Sequence, residues 1–284
     1  MSAPPAVVLT IAGSDSGGGA GVQADLATFA AFGVLGTSAI TALTAQDTVA
    51  VRGITLVDPA VVASQIDVVL DDLPVTASKT GMLGQPGTVA RVGERAAGGR
   101  LVNLVVDPVL VSTSGDQLCS DQAAMVDAYR RHLLPHAAVV TPNVAEASAL
   151  TGVAIGAAAR QGGAVDAMVD AGRALVALGT TVAMVTGGHV GGTRAPDVVV
   201  GPGDVVMVID GERVATQNDH GTGCTFSAAL AVGLAQGLSA LGSARQAKAY
   251  VCDALRAAAS WHLGHGRGPV DHRVWVHDAP RSPI

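Results

Sequence analysis

The sequence predicts an α/β fold, one mainly parallel sheet with helices packed on both faces. Three observations lead there. Short apolar, β-branched runs recur at residues 6–12, 101–106, 137–141 and 182–186, and they are unbroken rather than alternating, as in strands buried on both sides. The runs end in loops of Gly, Asp, Asn or Pro, and helical patterns follow, the order of successive strand–helix units. These loops gather polar groups along one edge of the sheet, which is where open α/β sheets bind ligands.

In chain order, residues 6–12 form the first strand, and a glycine-rich loop at 13–21 leads into a helix over 22–32. The loop holds Gly13 and Asp15 and is too long for the compact turn of a dinucleotide site. Asp25 falls in the first helical turn, as a helix-start carboxylate or as an acceptor for a substrate hydroxyl. Residues 35–46 mix a strand with a polar end at Gln46. Its amide donates and accepts, which suits a ring nitrogen beside an exocyclic amine; a surface turn with Asp47 and Thr48 is the other reading. A helix starts at Pro59 and runs to residue 70. Residues 78–83 are a strand end and loop, with Lys79 solvated or paired and Met82 packed over a ligand or into the core.

Asp107 stands at the carboxyl end of the 101–106 strand, a position suited to a hydrated Mg²⁺, and a loop at 112–116 follows. Asn143 caps the helix after the 137–141 strand, and Glu146 three residues on gives both a capping box and a metal-site candidate. A helix over 165–178 precedes the 182–186 strand and the turn Gly187-Gly188-His189. Residues 195–200 and 205–209 pair as strands, the last helix spans 244–262, and a glycine-rich loop at 264–272 closes the series.

Residues 218–227 organise the rest. Gly221 and Gly223 bend the backbone so that its N–H groups converge at the start of an apolar helix, and Thr222 can cap it. Free N–H groups and the helix dipole make such a turn an anion site. Cys224 in the first turn is either a thiol whose ionisation that field favours or a small buried side chain.

Composition sets the bounds. The chain has 284 residues, 49% hydrophobic and 14% charged, so a single domain with a large core of Ala, Val and Leu is expected, aromatics being only 2%. A net charge of −6 with no basic run argues against a nucleic-acid surface. The three cysteines are too far apart for a zinc motif or a disulfide framework. There is no basic leader and no apolar run near the roughly 18 residues of a membrane span, so a cytoplasmic protein without membrane contact is expected.

With these residues in place, the chain resembles the ribokinase-like superfamily and, within it, the hydroxymethylpyrimidine/phosphomethylpyrimidine kinases of thiamine biosynthesis. The resemblance rests on LTIAGSDSGGGAGVQADLATF, TALTAQDT, SKTGMLG, VVDPVLVSTSGD, TPNVAEA, GGH, HGTGCTFSAALA and GHGRGPVDH, in the expected order from Leu9 to His272. It implies a ribokinase-like three-layer sandwich over 1–284, with a core of about 6–272, and a homodimer. It implies an ATP- and Mg²⁺-dependent kinase that phosphorylates 4-amino-5-hydroxymethyl-2-methylpyrimidine and then its monophosphate. Gln46 would read the ring, Gly13 and Asp25 would approach the hydroxymethyl group, and Thr44, Met82 and Val109 would wall the pocket. Asp107 and Glu146 would lie by Mg²⁺, and Asn143, Thr186 and Gly188 by the ATP phosphates. Cys224 matches the position of the Asp base of most superfamily relatives. As thiolate or hydrogen-bond acceptor it would orient and deprotonate the hydroxymethyl group, while the N–H groups of Gly221, Thr222, Gly223 and Cys224 would hold the charge on the transferred phosphoryl.

Three positions depart from the family pattern. Thr186 stands where many relatives carry a phosphate-reaching Lys, with Lys79 a conceivable substitute; Asp219 stands where Thr is common, and Thr44 where an apolar residue is frequent. A pyridoxal or pyridoxine kinase of the same superfamily and a non-catalytic pyrimidine-binding protein are the alternatives.

Overall fold

The computed structural model describes residues 4–110, 121–188 and 190–276; the expected loop at 112–116, His189 and Cys119 lie outside them. Six strands run parallel: β1 (Val7–Asp15), β2 (Leu35–Gln46), β4 (Val75–Thr80), β5 (Val105–Val106), β6 (Val139–Val140) and β7 (Val182–Val185). β3 (Val51–Leu56), β8 (Asp197–Gly201) and β9 (Val205–Ile209) join through antiparallel pairings. Among the described residues they form one sheet in the order β3-β2-β1-β4-β5-β6-β7-β8-β9.

The two-residue period of a strand sorts the core into two layers. Val8, Ala77, Val105, Val139 and Met184 pack with α1 (Gly21–Ala31), α8 (Thr222–Ala235) and α9 (Ala240–Ala258). Leu9, Ile11, Val106, Val140 and Val185 face the other way, against α2 (Pro59–Asp72), α3 (Pro86–Ala97), α4 (Gln122–Ala128), α5 (Val144–Thr151), α6 (Ile155–Ala159) and α7 (Ala164–Ala177). The result is the expected three-layer sandwich. α8 is buried all round from Thr225 to Gly233, because it lies between the sheet and the two helices α1 and α9.

Several boundaries differ from expectation for local reasons. The 101–106 run is strand only at its end, since Asn103 takes a φ of 46° and breaks the extended backbone. β3 and α3 lacked clear patterns; β3 has almost no buried side chain, so no apolar alternation marks it. α9 begins at Ala240 rather than at 244, because the Ser239 hydroxyl accepts from the Gly242 N–H and caps it there. α1 starts at Gly21, which moves Asp25 out of the first turn.

Candidate functional site

The carboxyl ends of the parallel strands meet the start of α8 at one edge of the sheet. Near the end of β1 the register against β2 shifts at Gly13, a bulge that turns the strand into the glycine loop. Gly13 donates its N–H to the Met82 carbonyl at 3.1 Å. A Cβ there would stand 3.2 Å from Met82 Sδ, so glycine keeps Met82 close. Met82 in turn packs with Ala42, Val51 and Val109, giving a small apolar wall. Thr44 lies beside it with its hydroxyl donated to the Ser14 carbonyl at 2.8 Å. Half-buried Gln46 ends β2.

Two helix starts converge on Cys224. Gly221 takes a φ of 81°, and a Cβ on it would fall 1.8 Å from the Gly19 carbonyl oxygen. Only glycine fits, and the loop of β1 thereby interlocks with the entry to α8. Gly221 is itself the cap residue; Thr222 is the first helical residue and caps nothing, contrary to expectation. The Thr222 N–H donates weakly to the Asp219 carbonyl at 3.3 Å, while those of Gly223 and Cys224 have no acceptor among the described residues. These two N–H groups and the dipole of α8 give a turn suited to an anion.

The electrostatics at Cys224 overturn the thiolate expectation. Burial pushes its thiol up to about 12; Lys79 and the Gly21 N–H draw it down, and Asp107 and Asp25 add to the rise. At neutral pH Cys224 is a thiol, because desolvation outweighs the helix field.

Asp25 is also not where the sequence suggested. It has no exposed surface, and Lys79 Nζ contacts both its oxygens at 2.8 and 2.9 Å. The Thr10 hydroxyl adds a third bond at 2.6 Å. Lys79 and Thr10 fill three of the roughly four acceptor positions of Asp25, which leaves one on Oδ1. Lys79 is equally buried, so it is neither solvated nor free to replace the cation missing at Thr186.

Asp107 and Glu146 form a buried carboxyl pair. Asp107 follows β5 and accepts from the Ser227 hydroxyl at 2.9 Å, on the inner side of α8. Asn143 and Glu146 make a complete capping box at the start of α5. Glu146 is nonetheless buried, and after burial the nearness of Asp107 is the main cause that raises it. The capping role and the proximity to Asp107 hold together. Two buried hard-oxygen donors that repel one another suit a divalent cation that keeps most of its water.

At the next strand end, Thr186 donates its N–H to Pro142 O at 2.9 Å and bridges to Asn143, which sets these two strand ends side by side. Gly188 is exposed beyond them. Gly187 donates to buried Asp197 Oδ1 at 2.9 Å, and Lys248 holds the other Asp197 oxygen at 2.7 Å. Asp219 does not face the start of α8 bare: Arg267 of the closing loop pairs with both its oxygens.

Asp15 and His220 were not singled out by sequence reasoning, although both lie inside matched motifs. They meet at 2.9 Å across 205 positions, a contact that no local spacing encodes.

A family model described as phosphomethylpyrimidine kinase matches residues 15–271. The chain is 46% identical over 274 residues to the hydroxymethylpyrimidine/phosphomethylpyrimidine kinase of Rhizobium meliloti (strain 1021), covering 95% of this chain and 98% of that one. Among solved structures, the ADP complex of Bacillus subtilis pyridoxal kinase is similar with a TM-score of 0.84 and 33% identity, covering 95% of this chain and 98% of that one. The phosphomethylpyrimidine kinase of Clostridium difficile 630 is similar with a TM-score of 0.75 and 35% identity, covering 88% and 99%.

Proposed function

The chain belongs to the phosphomethylpyrimidine kinase family, and on that premise we propose that it transfers a phosphoryl group from ATP to 4-amino-5-hydroxymethyl-2-methylpyrimidine, and then to the monophosphate, in thiamine biosynthesis. The observation that carries the reading is the interlock of Gly19 and Gly221, which joins the anion site of α8 to the loop leading out of the Gly13 and Met82 wall.

In this reading the ring lies against Met82 and Val109, with Gln46 on its polar edge and Thr44 beside it. The Gly223 and Cys224 N–H groups, with Gly221 and Thr222 shaping the turn, hold the charge that develops on the transferred group. Cys224 acts as a neutral thiol that positions the hydroxymethyl oxygen, whose proton passes to an oxygen of the transferred phosphoryl group as the new O–P bond forms and the bond to ADP breaks. Little base strength is asked of the thiol, because phosphoryl transfer has a loose transition state in which positioning and electrostatics dominate. Asn143, Thr186 and Gly188 line the phosphate side. Asp107 and Glu146 would hold Mg²⁺, which when bound neutralises charge on the ATP phosphates.

The proposal extends to a single domain over 1–284, a cytoplasmic setting and a homodimer. Among the described residues no helix is long and apolar enough to cross a membrane. The paired strands of 195–209 are the contact surface in this reading, and Val205, Val206 and Val208 are exposed on edge strand β9.

A second reading, pyridoxal kinase, is favoured by the likeness to the Bacillus subtilis structure. A coupled ATP-turnover assay with Mg²⁺, offering the pyrimidine and pyridoxal side by side and resolving products by mass, separates the two. Pyrimidine mono- and diphosphate are expected. Dominant pyridoxal phosphate would move the assignment, and binding of the pyrimidine without turnover would leave a binding protein.

A further inference from the structure

Asp15, His220 and Gln46 meet at one atom. His220 Nε2 lies 2.9 Å from Asp15 Oδ2 and 3.2 Å from the Gln46 side-chain amide. Asp15 also accepts the N–H groups of Gly17, Gly19 and Ala20 at 2.8, 3.1 and 2.9 Å. A carboxylate that accepts three backbone N–H groups, two of them on the oxygen facing His220, is held ionised by them. Burial alone would raise it, but the His220 and Gly17 hydrogen bonds outweigh burial and hold it below the usual carboxylate range. His220 must therefore present a hydrogen on Nε2.

A protonated Nε2 cannot accept from an amide N–H. Gln46 must then turn its carbonyl oxygen to His220 and its NH₂ the other way, toward Thr44. The Thr44 contact agrees. Its single hydroxyl hydrogen goes to the Ser14 carbonyl at 2.8 Å, which leaves its oxygen as an acceptor 3.4 Å from the Gln46 amide terminus. The two ends of an amide are distinguished only by such partners. The imidazole cannot drift, since a Cβ on Gly19 would already fall 2.5 Å from His220 Cδ2, and the His220 N–H is tied to the Gly268 carbonyl at 3.0 Å.

We infer that His220 is a positioning residue: it fixes the amide orientation of Gln46 and thereby the donor–acceptor pattern shown to the substrate ring. The oxygen lies on the His220 side and the NH₂ on the Thr44 side. A 4-aminopyrimidine matches this order, with its exocyclic amine toward His220 and its ring nitrogen toward Thr44. A 4-oxo ring reverses the pattern and leaves polar groups unpaired. The specificity claim rests on the pyrimidine-kinase reading; the proton placement does not.

The test has two arms on the full chain. In the first, ¹⁵N-histidine NMR of the unmodified protein, with His220 assigned by its loss in His220→Gln, is expected to show hydrogen on Nε2. A bare Nε2 with hydrogen on Nδ1 overturns the inference. The second arm compares kcat/KM for the 4-amino and 4-oxo hydroxymethylpyrimidines in wild type and His220→Ala. The amino-to-oxo ratio is expected to fall by about tenfold or more. A ratio within about twofold of wild type, whatever happens to kcat, overturns the positioning role, because a merely structural residue lowers both rates together. If wild type turns over neither pyrimidine, the proposed function fails, while the NMR arm still decides where the proton sits.

Discussion

Lys79 and Asp25 form an ion pair with no exposed surface, Nζ lying 2.8 and 2.9 Å from the two carboxylate oxygens. Burial pulls both toward neutrality. It prevails in raising Asp25, whereas Lys79 is held protonated, well above its usual range, by Asp25 and further by Asp107. The bidentate contact and the third bond from Thr10 favour the ionised pair. Lys79→Met strands a buried carboxylate and should cost about 3–5 kcal/mol, while Asp25→Asn with Lys79→Met should recover much of that loss. Urea denaturation checks it; a single-variant loss no larger than the double-variant loss contradicts it.

The carboxyl pair at Asp107 and Glu146 predicts a pH dependence of stability. Glu146 is raised from 4.5 to about 8, by burial first and Asp107 next. Asp107 is raised from 3.8 to about 6 by burial, against Lys79 and the Ser227 hydrogen bond. With folded values above unfolded ones, the folded state keeps protons that the unfolded state has released. This contribution is lost as pH rises through the window from 4.5 to about 8. The metal-free Tm of wild type should therefore drop more than that of Glu146→Gln between about pH 5 and about pH 8. Added Mg²⁺ should stabilise wild type more at the alkaline end, because it competes with these protons. Parallel pH profiles for wild type and variant would refute the pairing.

Cys224 as a neutral positioning thiol predicts unequal losses. Cys224→Ala should lower the first phosphorylation by about ten- to a hundredfold and the second by much less, since the second step has no hydroxyl for the thiol to position. Separate single-turnover assays of the two steps check it. Equal losses would remove Cys224 from the alcohol step. The raised thiol, up to about 12, should also leave Cys224 slow to alkylate at neutral pH.

Arg267 shields the anion site from Asp219, and the pair is partly exposed. Its direct worth to stability is about 0–1 kcal/mol. Its larger effect should appear in ATP binding: Arg267→Ala should raise the ATP KM severalfold, and Asp219→Thr in that background should restore it. A KM that the second substitution leaves unchanged would place the carboxylate's field elsewhere.

The capping box of Asn143 and Glu146 and the glycine turn before Cys224 were legible in the chain, whereas the wall of Met82 and Val109 was implied only by the family resemblance. The box and the turn each depend on residues a few positions apart or at the end of a patterned strand. β3 was not legible, because an exposed strand has no apolar alternation. The partners of Asp25, Asp219 and Asp15 were not legible either, since Lys79, Arg267 and His220 lie 54, 48 and 205 positions away.

The sequence by itself determined the order of strand, polar loop and helix, and so the edge on which the site lies, because periodicity and turn chemistry are local properties of a chain. Tertiary structure alone decided the surroundings of the charged groups: Cys224 raised by burial, Asp25 bound to Lys79 and Asp15 held low by its hydrogen bonds. Ionisation depends on burial and on neighbours brought from distant segments, and neither exists until the sheet has assembled.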